Sequence, residues 1–562
     1  MPDPTDVPEP TDVPEPNVPQ PTDQQDVTPD ETENLDFPEH REAAEDRAAA
    51  NRERSNPAFP GDDDDDEDGA APREPRSRAA RLRTAGRVSA RVATGIIVLA
   101  AACATVAAAA FIPVPGIHRS ASSTIVTPVP SAQQLVCPGG LLRLSSESGA
   151  GATKPSALGP ASVTSGATSG TISQKPFSAS DAGTARGSSA PQLLSGGASS
   201  GTTPILIAGA QSQSVSTDEF VGLASAACAP ASGDAWLVGG ATSTGRTTLI
   251  LLSNPSDVPA TVSLQVFGEN GRVNAPGMDG IAVASQGQRV ISLAGFAPGL
   301  VSPVVHVSSR GGQVAATLEQ STVRGIEPGG IDFVGPEPSA ARSVVIPGVV
   351  IAGTDAVQNR LGEAGFDDLQ TTLRIFTSNA KATSARVSVI DEDGKLDGSA
   401  SQVDLTPSAV TDVPLVSLAN GSYTVIVTAK ASIVASVRVS TAGSAAVANA
   451  TDFAWQGAAP LLVAPAAVSI APGLDTLHLE NPTSKAETVT VHAIGGAASG
   501  ADASVSVPAG SAASVPVLGG SGYELSGYSG LHASVSGSGD GVISGYVVYP
   551  SQHGSTPIRI YH

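Results

Sequence analysis

In the C-terminal half of the chain, apolar and polar positions alternate with a period of two, as in Tyr423-Thr-Val-Ile-Val-Thr-Ala429 and Val434-Ala-Ser-Val-Arg-Val439. β-Branched residues dominate these runs, and Gly, Pro and Asn punctuate them. The pattern predicts short strands rather than helices.

Three stretches share one register. The apolar run ending at Asn254 is followed by Val262, Leu264, Val266 and the turn Glu269-Asn270-Gly271. The run ending at Asn379 is followed by Val387, Val389 and Asp391-Glu392-Asp393-Gly394. The run ending at Asn481 is followed by Val489, Val491 and Gly495-Gly496. The step from Asn to the first Val is 8 residues each time. A second step holds as Asn379 to Val413 and Asn481 to Val515, both 34, with Asn254 to Val290 at 36. Val307 to Val314, Val427 to Val434 and Val535 to Val542 are each 7 apart, and Asp332-Phe333 is echoed by Asp452-Phe453. The predicted architecture is therefore mainly β. It comprises tandem immunoglobulin-like β-sandwich domains over residues 113–335, 336–455 and 456–562. Their cores are Val, Leu and Ala, each side chain contributing about 1.5–3 kcal/mol on burial. Trp236 and Trp455 read as core plugs.

The N-terminal part has no such pattern. Residues 1–72 hold 23 acidic and 4 basic residues, a net charge of -19. Pro recurs through the repeated Thr-Asp-Val-Pro-Glu-Pro, and the run from Asp62 to Asp68 repels itself, so a disordered cytoplasmic tail is expected. The Ala, Glu and Arg content of residues 39–54 favours a short helix there. Residues 73–91 carry 7 Arg against one Glu. Residues 92–112 are free of charge, and as a helix they would extend about 31 Å, the thickness of a bilayer core. The Ala-rich segment depends on Ile96, Ile97, Val98, Leu99, Val106, Phe111 and Ile112, each adding about 0.3–0.6 kcal/mol. The Arg run then directs residues 1–91 to the cytoplasm and everything after Pro113 outside. A signal peptide cleaved near Ala107 to Ala110 is the rival reading, which the long hydrophilic tail disfavours.

Composition narrows the classes. Gly and Pro supply 60 and 44 of 562 residues, which excludes a helical bundle or coiled coil. The net charge of -22 leaves no basic face for nucleic acid beyond the Arg run. Cys103 lies within the apolar segment and reads as a buried thiol. Cys137 and Cys228 are the only cysteines beyond it, and an oxidising compartment makes their disulfide the default. Residues 145–215 are rich in Ser, Gly, Ala and Thr. They suit either a flexible linker or stalk, or a long insertion adding strands near Pro204 to Ala208; their position between the two cysteines favours the insertion.

Candidate chemistry is sparse. Asp391, Glu392, Asp393 and Asp397 resemble part of a calcium loop, but the equivalent turns of the other repeats lack the carboxylates, so a tight turn is the shared property. His306, His478, His492 and His532 fall in strands without metal-ligand spacing, and neither a Gly-x-Ser-x-Gly elbow nor His-Glu-x-x-His occurs. No catalytic, cofactor-binding or metal residue is expected, and no cofactor. Tyr523, Tyr528, Tyr546, Tyr549 and Tyr561 gather in the third repeat, where core and edge roles compete with a sugar-stacking platform.

The segment from Gly222 to Cys228, with Trp236, Gly239-Gly240, Asn254-Pro255 and Val262, resembles an uncharacterised family of actinobacterial envelope proteins. That resemblance implies a cytoplasmic tail, one span and an extracytoplasmic β region, with no catalytic residues to carry over. The expected function is a non-enzymatic, single-pass envelope scaffold or binding protein, with a carbohydrate- or peptidoglycan-binding module as the alternative. Expected partners are the membrane and an envelope protein or cell-wall glycan, with no nucleic acid; the sequence does not identify a cytoplasmic partner for the acidic tail.

Overall fold

The computed structural model of the protein describes residues 97–101, 123–126, 132–144, 155–182, 189–197, 205–392, 400–447, 450–495, 500–551 and 558–561. The acidic tail, the Arg run and most of residues 92–112 lie outside these. Of the apolar segment, residues 97–101 are helical. No helix among the described residues is long and apolar enough to cross a membrane. The chain divides into two compact units, residues 1–117 and 118–562. The described residues of the second unit are mainly β-strand.

The three predicted repeats pair in one order. The first runs Asp234–Val238, Arg246–Asn254, Ala260–Gly268, Ile281–Val283, Gly287–Ser292, Val304–Gly311, Ala315–Arg324 and Glu327–Val334. Counting these as strands one to eight, one sheet has the order 1-6-3-4 and the other 5-2-7-8. The third repeat has the same two sheets from Ala466–Ser469 to Val542–Val547. In the second repeat, Ala341–Ile351 is strand one and Thr451–Gly457 is strand eight, while strands six and seven are the two halves of Gly421–Ala442. The first half of that long strand pairs with Thr383–Asp391 and the second with Thr372–Phe376. Each copy closes over one apolar core, such as Ile250, Leu252, Val262, Leu264, Val305 and Leu318 in the first.

The strand connections differ from the immunoglobulin order. There the first strand pairs with the second, whereas here it pairs with the sixth. The Asn heads have a structural cause in two copies. Asn254 Nδ2 donates to Val258 O at 2.8 Å and Val283 O at 3.3 Å, and Asn481 Nδ2 to Lys485 O at 2.7 Å and Val507 O at 3.0 Å. Each ties the end of strand two to the following turn and to strand four. One register step is coincidental. Val307 and Val427 lie in sixth strands, but Val535 and Val542 lie in the seventh and eighth. The third copy's counterpart of Val307 is Leu525, which pairs with Val491 as Val307 pairs with Leu264.

The Ser/Gly-rich segment is strand-bearing where described, and it does more than extend the first repeat. Gln134–Cys137, Gln192–Gly196 and Ile172–Pro176 form one small sheet, and Ser162–Ala167, Ile207–Ser216 and Val221–Ala227 another. In chain order these are 1-6-3 and 2-7-8, the pairing of the repeats without strands four and five. Ala179–Ser180 adds in parallel to the first repeat's sheet. The expected strand near Pro204 to Ala208 is instead Ile207–Ser216.

The four copies pack in a closed cycle, the 1-6-3 sheet of each against the 2-7-8 sheet of the next. Trp236, Phe267 and Val304 of the first copy meet Phe376, Val410 and Val434 of the second. Pro347 of the second copy accepts from Ser534 of the third. Ala467 and Ile494 of the third meet Leu206 and Ala208 of the short copy. Val136 and Leu193 of the short copy meet Ala315 of the first. The two tryptophans are thus shared between copies. Trp236 stacks in the seam with the second copy, and Trp455 enters the first copy's core, where its Nε1 donates to Gln320 at 2.7 Å.

Candidate functional site

Closing the cycle buries both faces of most sheets, so polar side chains that would face water in an isolated copy must find partners. Between the first and second copies, Arg374 donates to Asp412 at 2.9 and 3.0 Å and to the carbonyls of Gly240, Val301 and Pro303. Between the short and first copies, Glu319 accepts the Leu142 N–H at 2.8 Å, and its carboxyl is pushed up to about 8 by burial.

The densest polar group lies where the four eighth strands meet. Asp452 accepts the N–H of Leu223 from the short copy at 2.9 Å and of Ile543 from the third at 3.1 Å. One carboxyl therefore joins the central strands of the second, short and third copies, and it lies against Gly330 of the first. Asp332 accepts from Trp455 N at 2.9 Å and from the Ser544 hydroxyl at 3.1 Å, and Ser544 in turn bonds Ser225 at 2.7 Å. Burial pushes Asp452 up to about 7, against the pull of its N–H donors, and holds Asp332 well above the usual range. Glycine is required around this carboxyl. A Cβ on Gly222 or Gly330 would collide with Asp452 Oδ1, and on Gly330 also with the Asp452 backbone.

Between the second and third copies, Glu392 Oε2 lies 2.5 Å from His478 Nδ1, and His478 Nε2 lies 2.7 Å from the Ser536 hydroxyl. Glu392 Oε1 also accepts from Gly348 N and Thr424. The order acid–imidazole–hydroxyl is that of an activated nucleophile. However, Ser536 is 2% exposed and His478 0%, so the hydroxyl is sealed from any substrate, and the trio satisfies a buried seam.

The expected disulfide is present: Cys137 and Cys228 are bonded, with Cα atoms 4.1 Å apart. It links the end of the short copy's first strand to the residue after its eighth. Asp391 ends a strand and Glu392 turns inward to His478, while residues 393–399 of the calcium-like turn lie outside the described region. Among the described residues no group of three or more His, Cys, Asp or Glu could hold a metal. His306 stacks on Trp236 at 4.2 Å and pairs with Asp234, and His492 pairs with Asp502. His532 bonds Ala459 O, and burial lowers its pKa. Among the described side chains the tyrosines do not converge on a platform. Tyr523 and Tyr546 are buried in the third core, while Tyr528 and Tyr549 donate to Ala464 O and Pro336 O. Tyr561 pairs through its backbone with Ser123.

Sequence reasoning missed the central carboxyls as functional groups. Their signal was the Asp-Phe echo: an acidic residue recurring inside otherwise apolar strands.

Residues 182–518 match a family of unknown function, DUF5719, and the chain belongs to that family. No curated protein and no solved structure matches it.

Proposed function

We propose that this member of the DUF5719 family is a non-enzymatic, membrane-anchored scaffold or binding protein of the cell envelope. In this reading residues 92–112 span the membrane, the acidic tail is cytoplasmic, and the sandwich-like copies stand outside as one ring. The observation that carries it is the commitment of buried polar side chains to seams between copies. Arg374, Asp452 and the Glu392–His478–Ser536 trio all bind neighbouring copies, as expected of a rigid platform rather than a reaction site. The Cys137–Cys228 disulfide supports an oxidising compartment. The pairing of Ser123–Val126 with Ile558–Tyr561 brings both ends of the ring to one place, which suits a tether. The carbohydrate alternative has no tyrosine platform among the described side chains to support it.

Cross-linking in intact cells, followed by purification of the full chain, tests the proposal. Recovery of a defined envelope protein is the expected result. Turnover of an envelope glycan or peptide by the purified chain would overturn the non-enzymatic reading.

A further inference from the structure

The second copy differs from its neighbours between strands one and two. Residues 352–371 intervene there, against 239–245 in the first copy and 470–475 in the third. This insertion carries the helix Thr354–Leu361 and the short turn Asp367–Leu369.

One side of the insertion is pinned. Asp368 accepts from Arg324 at 2.8 and 2.9 Å and pairs with Arg246 at 3.1 Å. Arg438 bonds its backbone oxygen and its carboxylate. Burial alone would raise this carboxyl, but Arg438, Arg324 and Arg246 together hold it below the usual range. Arg360 stacks 3.8 Å over Phe366, and Val357, Phe366, Leu369 and Ala442 form a small apolar cluster.

The other side faces a groove of about 330 Å³, at the lower end of the range of ligand sites. Thr354, Val357, Gln358 and Leu361 line it from one helix face, as their spacing of three and four dictates. Residues 415–418 form the opposite wall, tied down by Leu415 N to Thr371 O at 2.9 Å. Thr354 N to Asn420 Oδ1 at 3.2 Å secures the same turn. Val416 is 65% exposed on the rim.

The lining has a distinctive chemistry. In a chain of net charge -22 it contains no ionisable side chain. It contains no aromatic ring for a sugar to stack on. It offers aliphatic side chains alongside the amides of Gln358 and Gln370 and the hydroxyls of Thr354 and Ser417. An uncharged chain of amide groups with small apolar branches complements that set, whereas a charged ligand would lose hydration without a counter-ion. We propose that this groove binds an extended, uncharged peptide segment with small aliphatic side chains. Its pinned walls keep the ordering cost of binding low.

The test is panning of a phage-displayed heptapeptide library on the immobilised full chain, followed by titration of the enriched peptide in synthetic form. Sequences free of Asp, Glu, Lys and Arg should be enriched. Binding should weaken at least tenfold in Val416→Asp and in Gln358→Trp, two exposed positions that leave the core untouched. It should be unchanged in Val463→Asp, an exposed site on the third copy. Enrichment of charged sequences, absence of any convergent sequence, or unaltered binding in both groove variants would overturn the proposal. A chito-oligosaccharide arm distinguishes the rival ligand class: glycan binding lost in the groove variants, without peptide binding, would also overturn it.

Discussion

Asp452 Oδ2 accepts the backbone N–H of Leu223 at 2.9 Å across 229 residues of sequence. This bond and its counterpart from Ile543 fasten three strands that share no backbone ladder. Asp452→Ala would leave those buried donors unpaired, at about 1–3 kcal/mol each. Asp452→Asn keeps an acceptor and should cost much less. Urea unfolding of the two variants checks the contrast; equal losses would contradict it.

The buried carboxyls predict an inverted pH dependence. Burial pushes Glu319 up to about 8 and Asp452 and Glu480 up to about 7, and Asp332 and Glu337 lie well above their usual range. Through that window the native state retains protons that the unfolded chain has released, so stability falls as pH rises. Asp368, held low, acts oppositely only below the ordinary carboxylate range, and His532, lowered by burial, opposes the fall in the acid part of the window as one group against five. The urea midpoint should therefore drop between about pH 5 and about pH 8. A midpoint that climbs over this interval would show that these groups are not buried together in the native ring.

At the seam between the second and third copies, His478→Ala removes one member of a buried pair and should cost about 3–5 kcal/mol. Combining His478→Leu with Glu392→Leu removes both and should recover much of that loss. A double-mutant cycle on thermal unfolding measures the coupling. Strictly additive effects would mean that the two side chains do not interact.

Replacing Cys137 and Cys228 together by Ser opens a loop spanning 91 residues and should lower stability by about 2–5 kcal/mol. Calorimetry should register the loss as a lower Tm. The effect should centre on the short copy, whose small core holds Leu194 against the disulfide.

Much of this fold was legible because strand patterning is local. The spacing from Asn254 to Val262 and from Asn481 to Val489 marks a real turn whose Asn side chains tie strand two to strand four. The short copy was not legible. It lacks strands four and five, and its Ser- and Gly-rich strands read as an insertion into the first repeat, because the apolar partners of residues such as Leu193 lie far away in sequence, at Val136 and Ala315. The roles of Asp332 and Asp452 stayed hidden for the same reason. Their N–H donors come from other copies, and no local rule pairs an acidic residue with a strand hundreds of residues away.

The proposed function depends most on where the ring stands. Paired reporters fused after His562, one active only in the cytoplasm and one active only outside it, decide this directly. An envelope scaffold predicts activity of the external reporter alone, together with protease access to the ring in intact cells. Activity of the cytoplasmic reporter would contradict it.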